Sequence, residues 1–406
     1  MLRDDATILG LLVATLGAIF WTAGSAHPFW RRFYRFVPAL LLCYFLPALY
    51  NTAGLIDVED SRLYFVASRY LLPATLVLLT LAIDLPAILR LGPQVLTLFF
   101  AGTASVIAGA PVALWLVGLV SPATVAGETW RGLTAVAGSW IGGGANQAAM
   151  KDVFAIPVDL FGAMVAVDVI VASLWMAVLL YLAGRAAELD ARRGADTAAV
   201  DALRERIAAF EREHARNPSL RDLVLIAAVG FGLMGLSHAL GVPIARAIDA
   251  AAPQLAAYSL TSEFFWIVVL ATTFGVLASF TPARALEGAG ASKIGSLLLY
   301  VLVATIGMQM DLGAIVERPG LFVVGAVWMG VHAAVMFAVL HWLRAPLFYL
   351  GVGSMANIGG AASAPVVASA FHPALAPVGV LLAVLGYALG TYGGWLAGQL
   401  LRWVAE

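Results

Sequence analysis

Charged side chains are scarce in this sequence. Only 12% of the 406 residues are Asp, Glu, Lys or Arg, whereas 62% are hydrophobic, and the mean hydropathy is +0.93. An ordinary soluble domain carries about 25% charged residues, so this composition excludes a soluble fold. The net charge of −1 excludes a basic surface for nucleic acid. The single cysteine, Cys43, excludes an internal disulfide.

Catalytic motifs are also missing. The chain has no HExxH, no GxSxG and no Cys/His cluster, which are the signatures of metalloproteases, α/β-hydrolases and zinc sites. The run Gly351–Ala356 fits GxGxxA, but no predicted strand precedes it, as a dinucleotide site would require. We therefore expect a protein that is not an enzyme and that needs no cofactor, apart from the coupling ion considered below.

Long apolar runs make up most of the chain. A run of about 20 apolar residues spans the hydrocarbon layer of a bilayer as a helix. The first run follows an acidic start, Asp4-Asp5, which favours a retained helix over a signal peptide. The predicted spans and glycine-broken segments lie at 7–24, 33–50, 65–84, 94–119, 129–154, 158–184, 219–239, 262–280, 290–310, 320–343, 347–371 and 373–401. Residues 240–258 are predicted to form an interfacial loop or helix.

The two halves of the chain resemble each other. Residues 83–89 match 310–316 at an offset of 227, and Ile141-Gly142-Gly143 matches Ile358-Gly359-Gly360 at an offset of 217. The polar loop 120–129 has almost no counterpart in the second half, which accounts for the difference of ten. We therefore divide the chain into a first membrane repeat, a cytoplasmic linker and a second membrane repeat: 1–185, 186–218 and 219–406.

The positions of the arginines orient the two halves. Arginine favours the cytoplasmic side, so Arg31, Arg32 and Arg35 place the first loop inside. If each glycine-broken segment is a hairpin that returns to its own side, the arginine-rich stretch 186–218 also lies inside. If the segment crosses fully, that stretch lies outside, against the bias. The hairpin gives each half five crossings, an odd number, so the two repeats are inverted.

Apolar residues at helical spacing predict a short amphipathic helix in the linker: Val200, Leu203, Ile207 and Phe210.

The two glycine-broken segments predict the functional site. Non-helical backbone at membrane depth must line a protein cavity, and glycines can expose carbonyl oxygens that suit a dehydrated Na⁺. A helix start facing the break favours an anionic group. The alternative is close helix packing, but two breaks at matched positions favour a site. The predicted solute-binding residues are Ser139, Gly142, Gly143, Gly144, Asn146, Gln147, Asn357, Gly359, Gly360 and Ser363, and the predicted Na⁺ ligands among them are Asn146, Asn357 and Ser363.

Acidic residues inside apolar spans are costly and mark candidate functional positions. Asp168 lies near the middle of 158–184. The matching position of the second repeat is Leu385, so the repeated architecture does not require an acid there. We predict that Asp168 serves cation or proton coupling; a structural hydrogen-bonded acid is the alternative. Asp84 and Asp311 recur at span ends, which favours a role in capping or fixing loops.

The basic residues of the apolar spans have a simpler interpretation. They either neutralise an anionic solute or extend to the headgroups, and the second is favoured for Lys151, Arg131 and Arg69. Three histidines show no metal-ligand spacing and are expected at the interface: His238, His332 and His341.

Two sequence motifs resemble a known family. The run Gly138–Lys151, which includes Gly142-Gly143-Gly144-Ala145-Asn146, resembles the YjcL-like domain-of-unknown-function family of bacterial membrane proteins, and so does Leu385–Tyr392. The resemblance covers nearly the whole chain. That family is similar in organisation to the bile-acid and glutamate sodium symporters. The resemblance implies an elevator mechanism, in which a core domain with both broken segments moves against a scaffold, but it implies no substrate.

These features predict an all-α polytopic membrane protein with two inverted repeats of about five transmembrane helices, each with a glycine-broken helix. The predicted function is secondary active transport, by sodium-coupled symport of a small polar or anionic organic solute. The alternatives are a proton-coupled carrier or antiporter and, further away, a channel or an intramembrane enzyme. The expected partners are the solute and membrane lipid, with a homodimer left open. The expected location is the cytoplasmic (inner) membrane.

Overall fold

A computed structural model describes residues 1–58, 61–195, 218–310, 317–372 and 375–406, with the backbone alone at Arg35 and Phe36. Within these ranges the chain is helical and forms no strand. Seven of the described helices are long and apolar enough to cross a membrane, and two pairs of helices joined at sharp bends could each add one crossing. The protein is therefore a polytopic α-helical membrane protein, as its composition predicts.

The helices follow the same order in both halves. Those of the first half and the linker are α1 Asp5–Ala23, α2 Pro28–Phe36, α3 Ala39–Thr52, α4 Leu63–Leu81, α5 Leu85–Leu89, α6 Pro93–Val120, α7 Thr129–Val153, α8 Val158–Gly184 and α9 Ala186–Arg193. Those of the second half are α10 Leu220–Ala251, α11 Glu263–Ser279, α12 Ala291–Gly307, α13 Gly320–Leu343, α14 Leu347–Ile358, α15 Gly360–Phe371 and α16 Ala376–Ala405. Short helical turns lie at Pro122–Val125, Pro253–Tyr258 and Pro282–Ala289. The predicted amphipathic helix at 200–210 lies outside the described residues.

Two predicted spans have different boundaries in the structure. The predicted span 33–50 is interrupted before Pro38, where Val37 takes an extended conformation, as the residue before proline prefers. As a result α2 and α3 meet at 89°. The predicted span 219–239 continues as one helix to Ala251, through Pro243, so most of the unassigned stretch is helical.

A proline also explains an irregularity in α4. Pro73 has no N–H and cannot bond to the carbonyl of Arg69, four residues earlier. The helix widens to a π-helix over Ala67–Leu71, and His238 of α10 donates from Nε2 to that carbonyl at 2.8 Å. The side chain of His238 thus satisfies a backbone group of a neighbouring helix, and its interfacial position stays a prediction.

The helices form two groups, each packed mainly within itself. The scaffold group is α1, α3, α4, α10, α11 and α12, and the core group is α6, α7, α8, α13, α14, α15 and α16. Each group takes matched helices from both repeats. The main contacts between the groups join α4, α11 and α12 to α7 and α16.

The repeat is visible in the packing of α6 against α13. These helices begin at Pro93 and Gly320, positions 227 residues apart, and they lie side by side. Ser105 and His332, which are also 227 apart, hydrogen-bond to each other at 2.7 Å. A residue that contacts its own repeat partner lies near the local twofold axis. This axis therefore passes between α6 and α13.

Candidate solute and ion site

The first glycine-broken segment is a hairpin. The rings of Trp130 and Phe154 lie 6.1 Å apart, although 24 residues of straight helix would separate them by about 36 Å. The chain turns at Gly142 (φ −140°, ψ 18°) and Gly143 (φ +70°, ψ −174°). The second of these conformations is essentially open only to glycine. We name α7 the first hairpin.

The second glycine-broken segment folds in the same way. The rings of Phe348 and Phe371, near its two ends, lie 5.6 Å apart. The chain turns at Gly359 (φ −110°, ψ −4°) and Gly360 (φ +56°), so a negative φ is followed by a positive φ, as in the first hairpin 217 residues earlier. We name α14 and α15 the second hairpin. The hairpin prediction and the repeat alignment are both confirmed.

The bases of the two hairpins lie at opposite ends of α8. This helix begins five residues after the first hairpin ends and continues for 27 residues, about 40 Å. Just beyond its other end, Asp190 accepts a hydrogen bond from the amide of Leu347 at 3.0 Å, and Arg193 donates to the carbonyl of Ala345 at 3.1 Å. Both contacts lie at the base of the second hairpin. The two hairpins therefore enter the core group from opposite ends.

The tips of the hairpins meet inside the core group. A Cβ on Gly360 would lie 3.9 Å from the Cα of Gly143 and 3.9 Å from the ring of Tyr387, on α16. A Cβ on Gly143 would lie 3.3 Å from the same ring. A Cβ on Gly144 would lie 3.9 Å from the side chain of Leu299, on the scaffold helix α12. The meeting point therefore lies between the two breaks, α16 and the scaffold group.

Asp168 joins the two arms of the first hairpin across its break. Its carboxylate accepts hydrogen bonds from Ser139 (2.7 Å) and Trp140 (2.7 Å) on the first arm and from Gln147 (2.8 Å) on the second. The side chain is buried, and no Lys or Arg of the described ranges lies within 4 Å of it. Among the described residues, the carboxylate therefore has three neutral donors and no cationic partner.

The scaffold group also contacts this network. The hydroxyl of Tyr44, on α3, donates to the side-chain carbonyl of Gln147 at 3.3 Å. Gln147 thus connects a scaffold helix to Asp168 and to the second arm of the first hairpin. The sequence placed Ser139 and Gln147 at the site, but Trp140 and Tyr44 were missed, since an aromatic side chain in an apolar run gives no signal of a polar partner.

The two asparagines of the predicted Na⁺ site are bonded within the core group. Asn146 donates to the carbonyls of Gly142 and Tyr387, both at 2.9 Å, and accepts from Thr391 at 2.7 Å. Asn357 makes the same kind of contacts: it donates to the carbonyls of Phe99 (3.0 Å) and Gly353 (2.9 Å) and accepts from Thr103 (2.7 Å). In this conformation both amides fasten a hairpin to a neighbouring helix, and their role as ion ligands stays a prediction.

Ser363, the third predicted Na⁺ ligand, is half-buried and lies one turn after the second break. A Cβ on Gly359 would lie 2.5 Å from that of Ser363, so the serine closely covers the break. Its role as a ligand likewise stays a prediction.

His332 is buried in the core group, contrary to the prediction of an interfacial position. Ser105 donates to the carbonyl of Gly102 at 2.7 Å, so its oxygen accepts from Nδ1 of His332. Nε2 of His332 then accepts from Ser354, which accepts in turn from the indole of Trp175, both at 2.7 Å. This network fastens the first arm of the second hairpin to α6, α8 and α13.

Lys151 does not extend to the headgroups, and that prediction is wrong. Its ammonium is buried, donates to the hydroxyl of Tyr64 at 2.8 Å and lies 3.8 Å from the carboxylate of Asp152. Tyr64 donates to Asp152 at 2.5 Å, and Arg69 lies 3.6 Å from the same carboxylate. These four residues connect the scaffold helix α4 to the base of the first hairpin.

The outer ionisable residues behave more simply. Asp84 caps α5 by accepting from the amide of Ala87 at 3.0 Å and pairs with Arg284 at 2.8 Å, which confirms its predicted role in capping. Its repeat partner Asp311 lies outside the described residues. Arg131 pairs with the exposed Glu128 at 2.8 Å.

The comparisons with known proteins agree with the fold. The chain is similar to the uncharacterized membrane protein YjcL of Bacillus subtilis (strain 168), with 24% identity over 363 residues that cover 86% of each chain. Residues 10–404 match the family model described as protein of unknown function (DUF819). The match includes both hairpins, α8 and α16. The chain belongs to this family of proteins.

Proposed function

We propose that the protein is a secondary active transporter that carries a small polar or anionic organic solute together with Na⁺ by an elevator mechanism. The core group would carry the solute while it moves against the scaffold group. One observation carries the proposal: two hairpins of inverted repeats enter from opposite ends and meet at Gly143 and Gly360. Broken helices that meet inside the bundle are typical of the solute and ion sites of secondary transporters.

The hairpin tips suit a solute with a negative group. The second arm of each hairpin starts at its break, so the positive end of its helix dipole points toward the meeting point, which favours a negative group. The first arms end there, and the carbonyls at the end of a helix suit a cation. Ser363 adds a hydroxyl, and the ring of Tyr387 adds an aromatic surface. A small anionic solute and Na⁺ would therefore bind together with opposite charges.

Asp168 supports ion coupling through the first hairpin. It is a buried carboxylate without a cation nearby in the described ranges, and it contacts both arms of that hairpin. A cation that binds near it would compensate its charge, and the change would reach the tip through Ser139 and Gln147. The same geometry favours one second candidate, a proton-coupled carrier, because a proton on Oδ2 of Asp168 would compete with the hydrogen bonds that this oxygen accepts from Ser139 and Gln147.

The ion is tested on the purified full-length protein. We expect Na⁺ to raise the melting temperature where equal K⁺ does not, because binding to the folded state stabilises it. A solute screen in the presence of Na⁺ then identifies small carboxylates or polar organic compounds that raise it further. Uptake of the best compound into proteoliposomes is measured with and without a Na⁺ gradient.

The outcomes separate the candidates. Saturable uptake driven by a Na⁺ gradient supports the symporter. Uptake driven by a pH gradient, with no difference between Na⁺ and K⁺, favours the proton-coupled carrier. Conduction that neither saturates nor concentrates any solute would contradict a carrier of either kind.

A further inference from the structure

The short helix α2 separates arginines from aromatic residues. At 100° per residue, Arg31, Arg32 and Arg35 fall within an arc of about 100° on the helix. The aromatic residues occupy an arc of about 160° on the other side: Phe29, Trp30, Phe33, Tyr34 and Phe36. A helix with this division suits a boundary between water and apolar material.

The structure orients α2 across the direction of its neighbours. It meets α3 at 89°, so it lies flat if α3 crosses the membrane. Tyr34 fixes it to the end of α1, because its hydroxyl bonds to Thr22 at 2.7 Å and donates to the carbonyl of Ile19 at 3.1 Å. Phe29, on the aromatic side, is 59% exposed. An exposed phenylalanine on a helix that lies flat is positioned to enter the headgroup boundary.

Within the described ranges, no acidic side chain compensates the charge of Arg31 and Arg32. No acidic residue occurs between Asp5 and Asp57. Arg31 and Arg32 are exposed and form no ion pair with any described residue. The matching connection of the second repeat, which includes the turn Pro253–Tyr258, contains no arginine. The inverted-repeat fold therefore does not require this charge.

We propose that α2 is a docking surface for anionic phospholipids. The aromatic side enters the boundary between headgroups and acyl chains, and Arg31 and Arg32 bind the headgroup phosphates. The arginine guanidinium suits this role, because its planar donors match phosphate oxygens in pairs. Each basic residue near an anionic surface strengthens the attraction by about fivefold. This surface is independent of the solute and ion site.

The experiment uses the full-length protein in nanodiscs of phosphatidylcholine with increasing fractions of phosphatidylglycerol. We expect phosphatidylglycerol to raise the melting temperature of the wild type. The double variant R31Q/R32Q should need about 25-fold more phosphatidylglycerol for the same increase, because two fivefold losses multiply, and R31K/R32K should keep most of the response. The matched control is R185Q/R192Q, which removes two exposed arginines that pair with Glu188 on α9.

Three results would overturn the proposal. The first is a double glutamine variant, R31Q/R32Q, that responds to phosphatidylglycerol as the wild type does. The second is an equal loss of response in the control variant, which would make the effect one of net charge. The third is the same stabilisation by inorganic phosphate without anionic lipid, which would identify a soluble anion. If the double variant does not fold, R31Q and R32Q are measured singly, and each should weaken the lipid response by about fivefold.

Discussion

At the scale of single residues, Asp168 determines how the first hairpin is held. Trp140 and Gln147 can only donate to it through their nitrogens, and Ser139 also donates in this conformation. Asp168→Ala would leave three buried donors without an acceptor, at a cost of about 1–3 kcal/mol for each group. Asp168→Asn keeps one oxygen, and Ser139 and Gln147 can reorient to accept from its amide. We therefore expect a much lower melting temperature for Asp168→Ala than for Asp168→Asn.

The same pair of variants tests coupling. If Asp168 couples the ion, Asp168→Asn should abolish the response of the melting temperature to Na⁺ or to pH while the protein stays folded. Asp84→Asn is the control, because it removes an acid that caps α5 and pairs with Arg284 outside the hairpins. A normal ion response in Asp168→Asn would leave Asp168 as a purely structural acid.

At the scale of elements, the conformation of the hairpin tips depends on single glycines. Gly143→Ala places a Cβ in a backbone region that costs about 1–3 kcal/mol for other residues, and 3.3 Å from the Tyr387 ring. Gly144→Ala, one residue later, has no positive φ to oppose it and meets only Leu299 at 3.9 Å. We expect Gly143→Ala to lower the melting temperature and the solute response, and Gly144→Ala to resemble the wild type.

Thermal unfolding and solute-induced stabilisation of the two glycine variants give the comparison. Equal effects at Gly143 and Gly144 would mean that the tip tolerates a Cβ anywhere, and the assigned break would then not shape the site.

At the scale of the whole molecule, the two hairpin bases should face opposite sides of the membrane. Ala126, which lies before the first hairpin, and Ala191, on α9 near the base of the second, are both exposed. In cells that express Ala126→Cys or Ala191→Cys, an impermeant thiol reagent should label the first from outside and the second only after the cells are opened. The native Cys43 is buried and should not react. Labelling of both positions from the same side would contradict the inverted repeat.

The class of fold and the position of the breaks could be predicted from the amino-acid sequence. Scarce charge and long apolar runs require membrane helices, because bare backbone polar groups are too costly in lipid. The paired Gly142-Gly143 and Gly359-Gly360 fixed the repeat offset, because a positive φ selects glycine wherever the fold places it. Apolar runs and glycine pairs depend only on residues that are neighbours in the chain, so they can be recognised in a single sequence.

The hydrogen-bond partners of the polar side chains, in contrast, became known from the folded structure. Asn146 and Thr391 lie 245 residues apart, and Asn357 and Thr103 lie 254 apart, so no spacing in the sequence could reveal that they bond. The burial of Lys151 against Tyr64 was hidden for the same reason. A hydrogen bond depends on donor and acceptor meeting within about 3 Å, and the packing of distant helices determines that distance.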